Sequence, residues 1–305
     1  MGRLVLDNNN TFTGGVEIQD GTLVAGDWGA LGGSNDVNIT NRGKFEVASG
    51  VTLKGSATIT GDGTNKTMIG GLGDLNNSVT IGSASGQIDT ISPGTGISSS
   101  LTSDSSQQQV SLGDRTGATG TFTVGGLTLA AGGVYDWEIS DFSGTAGADW
   151  DLIMYDSLTY NVGDSFTINI FGLEANGSAG PMAGGNVWQN YTSNGFLFMD
   201  SVSGSHAWTG TGAAGYSGTA NAGYVTSFQY NADGWSHHND HWLHDWNVWY
   251  DGTGGFYLQY SAVPEPSTYI MVTGLMLVPG MNAVRKYRNR KKKQGVEEPE
   301  EEIRS

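Results

Sequence analysis

Cysteine does not occur anywhere in the chain, which removes disulfide staples, thiolate metal sites and a cysteine nucleophile together. Proline is sparse at six residues, and the body has too few glutamate, lysine, arginine and glutamine residues to build long helices. Basic charge is scarce as well. Residues 1–263 hold 24 of the 30 acidic side chains but only 6 of the 14 basic ones, a balance that repels nucleic acid and anionic lipid, so no nucleic-acid partner is expected. The opening Met1-Gly2-Arg3-Leu4-Val5-Leu6-Asp7 has no charged head, apolar run or small-residue cleavage site. An exported form of this protein is therefore expected to begin further upstream.

What is abundant is glycine, 49 residues of it, with threonine, serine, asparagine and valine. That is material for short strands and turns, and it sets an all-β expectation. From Leu4 to Leu53 the chain alternates in runs of three to five residues: Val16-Glu17-Ile18, Thr22-Leu23-Val24, Val37-Asn38-Ile39, Lys44-Phe45-Glu46-Val47 and Val51-Thr52-Leu53. Turns are expected at Gly14-Gly15, Asp20-Gly21, Asn41-Arg42-Gly43 and Ser49-Gly50. The rhythm is too short for sandwich hairpins and suits the rungs of a solenoid, in which alternate residues point inward and stack on the rung below.

The stretch from Leu4 to Leu23 carries a more specific pattern. Leu4, Leu6, Asn10, Phe12, Thr13, Gly14, Gly15, Ile18, Gly21, Thr22 and Leu23 fall at the positions L-x-L-x-x-x-N-x-[FY]-[ST]-G-G-x-x-[IV]-x-x-G-[ST]-L. This resembles the autotransporter-associated β-strand repeat of secreted passenger domains. The resemblance implies a short right-handed parallel β-helix; it concerns architecture and carries no activity.

Weaker rungs follow at Ala57-Thr58-Ile59, Val79-Thr80-Ile81 and Gln87–Gly94, before a polar, low-complexity stretch over 95–108. Strand patterns resume at Thr121–Val124 and Leu127–Leu129. The block Leu127–Ile139 with Gly147–Ile153 is similar to one found at the end of such repeat-bearing proteins. Trp137 and Trp150 are expected there to close an apolar stack that would otherwise face water. Ser165–Phe171 and Gly255–Tyr260 should be further strands of the same unit.

The C-terminal end has three parts in order: Val263-Pro264-Glu265-Pro266-Ser267-Thr268, an apolar run from Tyr269 to Val284, and a basic cluster of Arg285, Lys286, Arg288, Arg290, Lys291, Lys292 and Lys293. This order resembles the PEP-CTERM sorting signal. It implies recognition by a membrane protease-transpeptidase of the exosortase class, in Gram-negative bacteria that make extracellular polysaccharide. Charge and length give the same topology independently. Sixteen mainly apolar residues approach the roughly 20 that span hydrocarbon, and the basic cluster stays cytoplasmic by the positive-inside tendency. Pro279-Gly280, Asn282 and the acidic Glu297–Glu302 depart from the family pattern.

The sequence thus predicts a mainly β chain: a β-helix-like region over 1–118, a β-rich cap over 119–262, a sorting and single transmembrane-helix segment over 263–293, and an acidic tail over 294–305. Its expected partners are the exosortase-type protease, the inner membrane and extracellular polysaccharide. Four of the five histidines lie between Trp235 and Trp246. On a helix His237 and His241 would share a face, as would His241 and Asp245, and with His244 they are candidate metal ligands. Without a His-Glu-x-x-His pattern the plain reading is a polar, aromatic connection, and no cofactor is expected. Trp188, Trp208, Trp235, Trp242 and Trp249 could stack on sugar rings or pack the core. The functional expectation is a non-enzymatic structural or adhesive surface protein. The alternative is a carbohydrate-active enzyme or glycan-binding module on the same scaffold, which would show facing carboxylates on one solenoid face.

Overall fold

The computed structural model describes residues 2–32, 36–53, 58–62, 66–94, 119–141, 144–161, 166–173, 195–203, 223–225, 228–231 and 243–263. One compact unit comprises residues 1–239 and 246–260, and a second comprises 240–245 and 261–305. The expected transmembrane helix, over Tyr269–Val284, lies outside the described residues. Among those described, no helix is long and apolar enough to cross a membrane.

The described elements are all strands. In chain order they are β1 (Arg3–Leu6), β2 (Val16–Ala25), β3 (Val37–Val47), β4 (Thr52–Leu53), β5 (Ile59–Gly61), β6 (Met68–Gly71), β7 (Asp74–Ile81), β8 (Thr90–Pro93) and β9 (Thr121–Ala130). They continue as β10 (Val134–Ile139), β11 (Leu152–Asn161), β12 (Phe166–Gly172), β13 (Phe196–Ser201), β14 (Gly223–Val225), β15 (Phe228–Asn231), β16 (Leu243–Tyr250) and β17 (Phe256–Val263).

Two sheets form. The first runs β1-β2-β3-β6-β8-β10-β12-β15, with β5 also paired to β3, and the second runs β14-β16-β17-β13-β11-β9-β7-β4. From β6 to β13 the chain alternates strictly between them, one strand in each per rung. Every pairing along the first sheet is parallel, as are those from β4 through β7, β9 and β11 to β13. This is the β-helix-like arrangement that the short rungs predict. The parallel stack passes straight through residue 119; the second sheet ends in antiparallel pairs, β13 with β17 and β14 with β16, whereas the first ends in the parallel pair of β12 with β15.

Register explains why the alternation buries so well. In the first sheet Leu4 pairs with Leu23, Leu23 with Phe45, Phe45 with Ile69, Ile69 with Ile91, Ile91 with Tyr135 and Tyr135 with Ile168. One apolar column therefore runs through seven strands, and all its members after Leu4 are buried. The second sheet contributes matching columns, Leu53-Leu75-Val124-Tyr155 and Val79-Leu127-Leu158, also buried. A stack of this kind needs no disulfide, because each rung completes the desolvation of the next.

The expected strand runs are present, but two pairs of them fuse. Val16–Ile18 and Thr22–Val24 belong to one strand, β2, and Val37–Ile39 and Lys44–Val47 belong to β3. Asp20-Gly21 and Asn41-Arg42-Gly43 are corners within these strands rather than separate turns. At the corner, Ile18 pairs with Ile39 and Asp20 with Arg42, so β3 holds one extra residue. Asn41 takes up the bulge at φ 55°, a left-handed conformation that asparagine tolerates better than most residues.

Trp137 and Trp150 are buried, but Trp137 lies on β10 between β8 and β12, within the stack and not at its end. Both pack on Phe196, with ring centroids 5.7 and 5.4 Å away, and their indole N–H groups donate to the Asp151 and Leu197 carbonyls at 2.9 Å.

Candidate functional site

The first rung explains residue by residue why the repeat pattern has the composition it has. Leu4 and Leu6 start the column from β1. Asn10 turns the chain: its amide donates to the Asn8 carbonyl at 3.0 Å and to the Ala30 carbonyl of the next rung at 2.8 Å. Gly21 sits at φ 87°, and a Cβ there would stand 2.5 Å from the Gly2 carbonyl oxygen. That oxygen accepts the Thr22 N–H at 2.9 Å, so glycine is required twice over, for conformation and for close approach.

Aspartates staple successive corners. The Thr58 N–H donates to Asp36 at 2.9 Å, the Asn41 N–H to Asp62 at 2.9 Å, and the Thr67 N–H to Asp89 at 2.8 Å. The Asp36–Thr58 and Asp89–Thr67 partners are 22 residues apart in sequence and the Asp62–Asn41 partners 21, about one rung. Much of the acidity of this region thus serves inter-rung backbone hydrogen bonds. Asp89 shows the cost, since burial raises its carboxyl above the ordinary range while the Thr67 bonds oppose the rise.

The outward face of the second sheet is an open polar surface. Thr80, Thr128 and Thr159 align in one register row, and Ser78, Gly126 and Ser157 in another. Asp74, Thr123, Met154 and Asp200 make a third. Burial raises the Asp74 carboxyl, with Asp156 adding repulsion, and raises that of Asp200, with Asp251 adding repulsion. Asp74 and Asp156 come from strands separated by β9, which sets them about 10 Å apart across the sheet from strand spacing alone. The described basic residues, Arg3, Arg42, Lys44 and Lys66, all lie outside the strands of this sheet.

A second acidic group is buried. Asp136 and Glu138 lie on β10 with Trp137 between them, and with Asp151 all three carboxylates are buried. Asp151 accepts the Gly120 N–H at 2.9 Å and the Glu138 N–H at 3.0 Å. Loss of hydration, then the Glu138 charge, holds its carboxyl well above the ordinary range despite those bonds. Sequence reasoning missed this group. The alternation Tyr135-Asp136-Trp137-Glu138-Ile139 reads as a half-exposed strand, yet both of its faces are covered.

Of the sequence-derived sites, Val263 is the last residue of β17. Pro264, Glu265, Pro266, Ser267, Thr268 and the basic cluster from Arg285 to Lys293 lie outside the described residues, as do His237 and His241. His244 and Asp245 belong to β16; the backbone there is extended, so helical i,i+4 spacing does not reach Asp245. Among the described residues no group of three or more histidine, aspartate or glutamate side chains is placed to hold a metal ion. Trp249 is half-buried on β16, and the other four candidate stacking tryptophans lie outside the described residues.

Comparison with known proteins agrees with the first rung. The model of the passenger-associated transport repeat matches residues 1–25, which covers β1, the Asn10 corner and β2. No curated protein and no solved structure matches the chain. The repeat links this chain, through its N-terminal rung, to autotransporter-associated proteins that are exported or displayed at the cell surface.

Proposed function

We propose that this protein is a non-enzymatic structural scaffold, displayed on the cell surface or in the extracellular matrix and delivered through its C-terminal segment. The observation that carries the reading is the transport-repeat match over residues 1–25, on a rung that runs in register into a stack of parallel strands. A protein built of such rungs uses its sequence to extend a rod, and Asn10, Asp36, Asp62 and Asp89 each tie a corner through a backbone hydrogen bond.

The open face of the second sheet supports the scaffold reading. It offers hydroxyl rows with scattered carboxylates, a surface suited to display and contact. Delivery follows from the ordered Pro-Glu-Pro motif, apolar run and basic cluster. An exosortase-type protease would read Val263–Thr268 while the basic flank holds the chain in the inner membrane.

Replacing Pro264 and Pro266 with alanine tests the sorting step. Full-length protein should then stay in the inner-membrane fraction at its unprocessed mass, whereas unchanged processing and delivery would refute this route. The second reading, a glycan-binding module, rests on the same hydroxyl rows. It predicts retention of the protein on its host's extracellular polysaccharide, lost on replacing Thr80, Thr128 and Thr159 with valine.

A further inference from the structure

The hydroxyl rows of the second sheet form one patch. Val79, Leu127 and Leu158 point inward and are buried, so Ser78, Thr80, Thr128, Ser157 and Thr159 face outward from β7, β9 and β11. Gly126 sits at its centre. A Cβ there would run into the Ser78 hydroxyl and stand 3.3 Å from that of Ser157, so both hydroxyls lean over the glycine. The threonine row runs along the stack with one hydroxyl per strand spacing, about 4.8 Å.

Carboxylates border the patch. Asp156 precedes Ser157 and is exposed, and Asp74 lies about 10 Å from it across β9 by strand spacing. Asp200 ends the row that begins at Asp74, three strand spacings or about 14 Å away. These charges oppose one another: repulsion from Asp156 and Asp251 adds to the effect of burial on the Asp74 and Asp200 carboxyls. The described cations are engaged elsewhere, Arg3 and Lys44 with Glu46 and Arg42 with Asp20, while the charges of Asp136 and Asp89 act on Lys66. A cationic partner would relieve the repulsion on this face. Residues 1–263, with 24 acidic and 6 basic side chains, would draw such a partner in.

We propose that this face binds an extended amino-sugar polysaccharide whose free amines are protonated. The proposal rests on the glycan-binding reading above and names its ligand. Two features select such a chain over a basic protein. The patch is made of hydroxyls and a glycine, whereas protein partners concentrate their binding energy on aromatic and other large anchors. Its repeat is also regular. An extended 1,4-linked pyranose chain laid along the stack advances by about one strand spacing per sugar, so successive rings meet Thr80, Thr128 and Thr159 in turn. The amines of alternate rings then come about two strand spacings apart, matching Asp74 and Asp156. A neutral glycan would meet the hydroxyls and leave the repulsion in place.

Titration calorimetry of the full-length chain in mild detergent at pH 6 tests this, with the β-1,4-linked glucosamine hexamer and its fully N-acetylated form as probes. The free-amine hexamer should bind at least ~10-fold more tightly, because acetylation removes every charge contact, and added salt should narrow the gap. Asp156→Asn, at an exposed side chain, should weaken binding ~3-fold, and Asp74→Asn with Asp156→Asn ~10-fold. Glu17→Gln makes the same change in net charge on β2 of the first sheet and should leave affinity unchanged, which separates this face from attraction to the acidic body as a whole. Thr128→Val should weaken both hexamers alike. Equal binding of the two hexamers overturns the amino-sugar proposal and leaves the glycan reading standing. Binding of neither overturns it too, while retention on the host's polysaccharide still decides that reading separately. Hexalysine bound as tightly as the glucosamine hexamer, with no effect of Thr128→Val, overturns it in favour of a basic protein.

Discussion

Replacing Asp89 with alanine measures what a corner aspartate contributes. The carboxylate accepts the Thr67 backbone N–H at 2.8 Å and the Thr67 hydroxyl at 3.1 Å, and Thr67 is fully buried. Removal leaves that N–H without its acceptor, a loss of about 1–3 kcal/mol for a buried donor. The lost hydroxyl bond adds about 1 kcal/mol. Relief of the carboxylate's own desolvation, visible in its raised pKa, offsets part of this. The expected net loss is about 2 kcal/mol. Asn at the same position keeps a neutral acceptor and should lose under ~1 kcal/mol. Urea unfolding followed by tryptophan fluorescence reads both values, since Trp137 and Trp150 are buried. An Asp89→Ala loss within ~0.5 kcal/mol of zero, or an Asn variant as weak as the alanine one, would refute the stapling argument.

Three further outcomes follow from the same contacts. Phe45→Ala, which hollows the column between Leu23 and Ile69, should cost about 3–5 kcal/mol and Phe45→Leu under ~2 by urea unfolding. Gly21→Ala should cost at least ~1–2 kcal/mol, from the positive φ and the approach of the Gly2 oxygen; equal stability would contradict the corner geometry. The carboxyls of Asp74, Asp89, Asp151 and Asp200 are all raised in the folded state. Between the ordinary value near 4 and those raised values the folded chain binds more protons than the unfolded one, so their stabilisation is full in acid and is lost as pH climbs. The urea midpoint should rise as pH falls from 8 to 5, and a fall over that range would contradict the assignment.

The repeat over Leu4–Leu23 was legible in the sequence because each of its residue types performs a local task. Leucines alternate inward, Asn10 bridges to the next rung, and Gly21 occupies a position closed to other residues. The rungs were legible too, since short alternating runs leave little else for the backbone to do. The fused corners in β2 and β3 were not, because a bulge and a turn call for the same Asp, Asn and Gly. Strand direction was equally hidden: Phe196–Ser201 and Phe256–Val263 alternate alike whether they pair parallel or, as found, antiparallel. The buried Glu138 and Asp151 escaped notice for a different reason. Alternation predicts which face is inward, but whether the other face is covered depends on chain far away in sequence.

The most direct test of the central claim, an exported scaffold, is the location of the intact protein. An epitope inserted at the exposed Ser49-Gly50 turn, where Gly50 has open space around it, should be reached by antibody or protease on unbroken cells or recovered in the extracellular matrix. Full protection on intact cells, with the protein found only in the cytoplasmic fraction after lysis, would contradict the account.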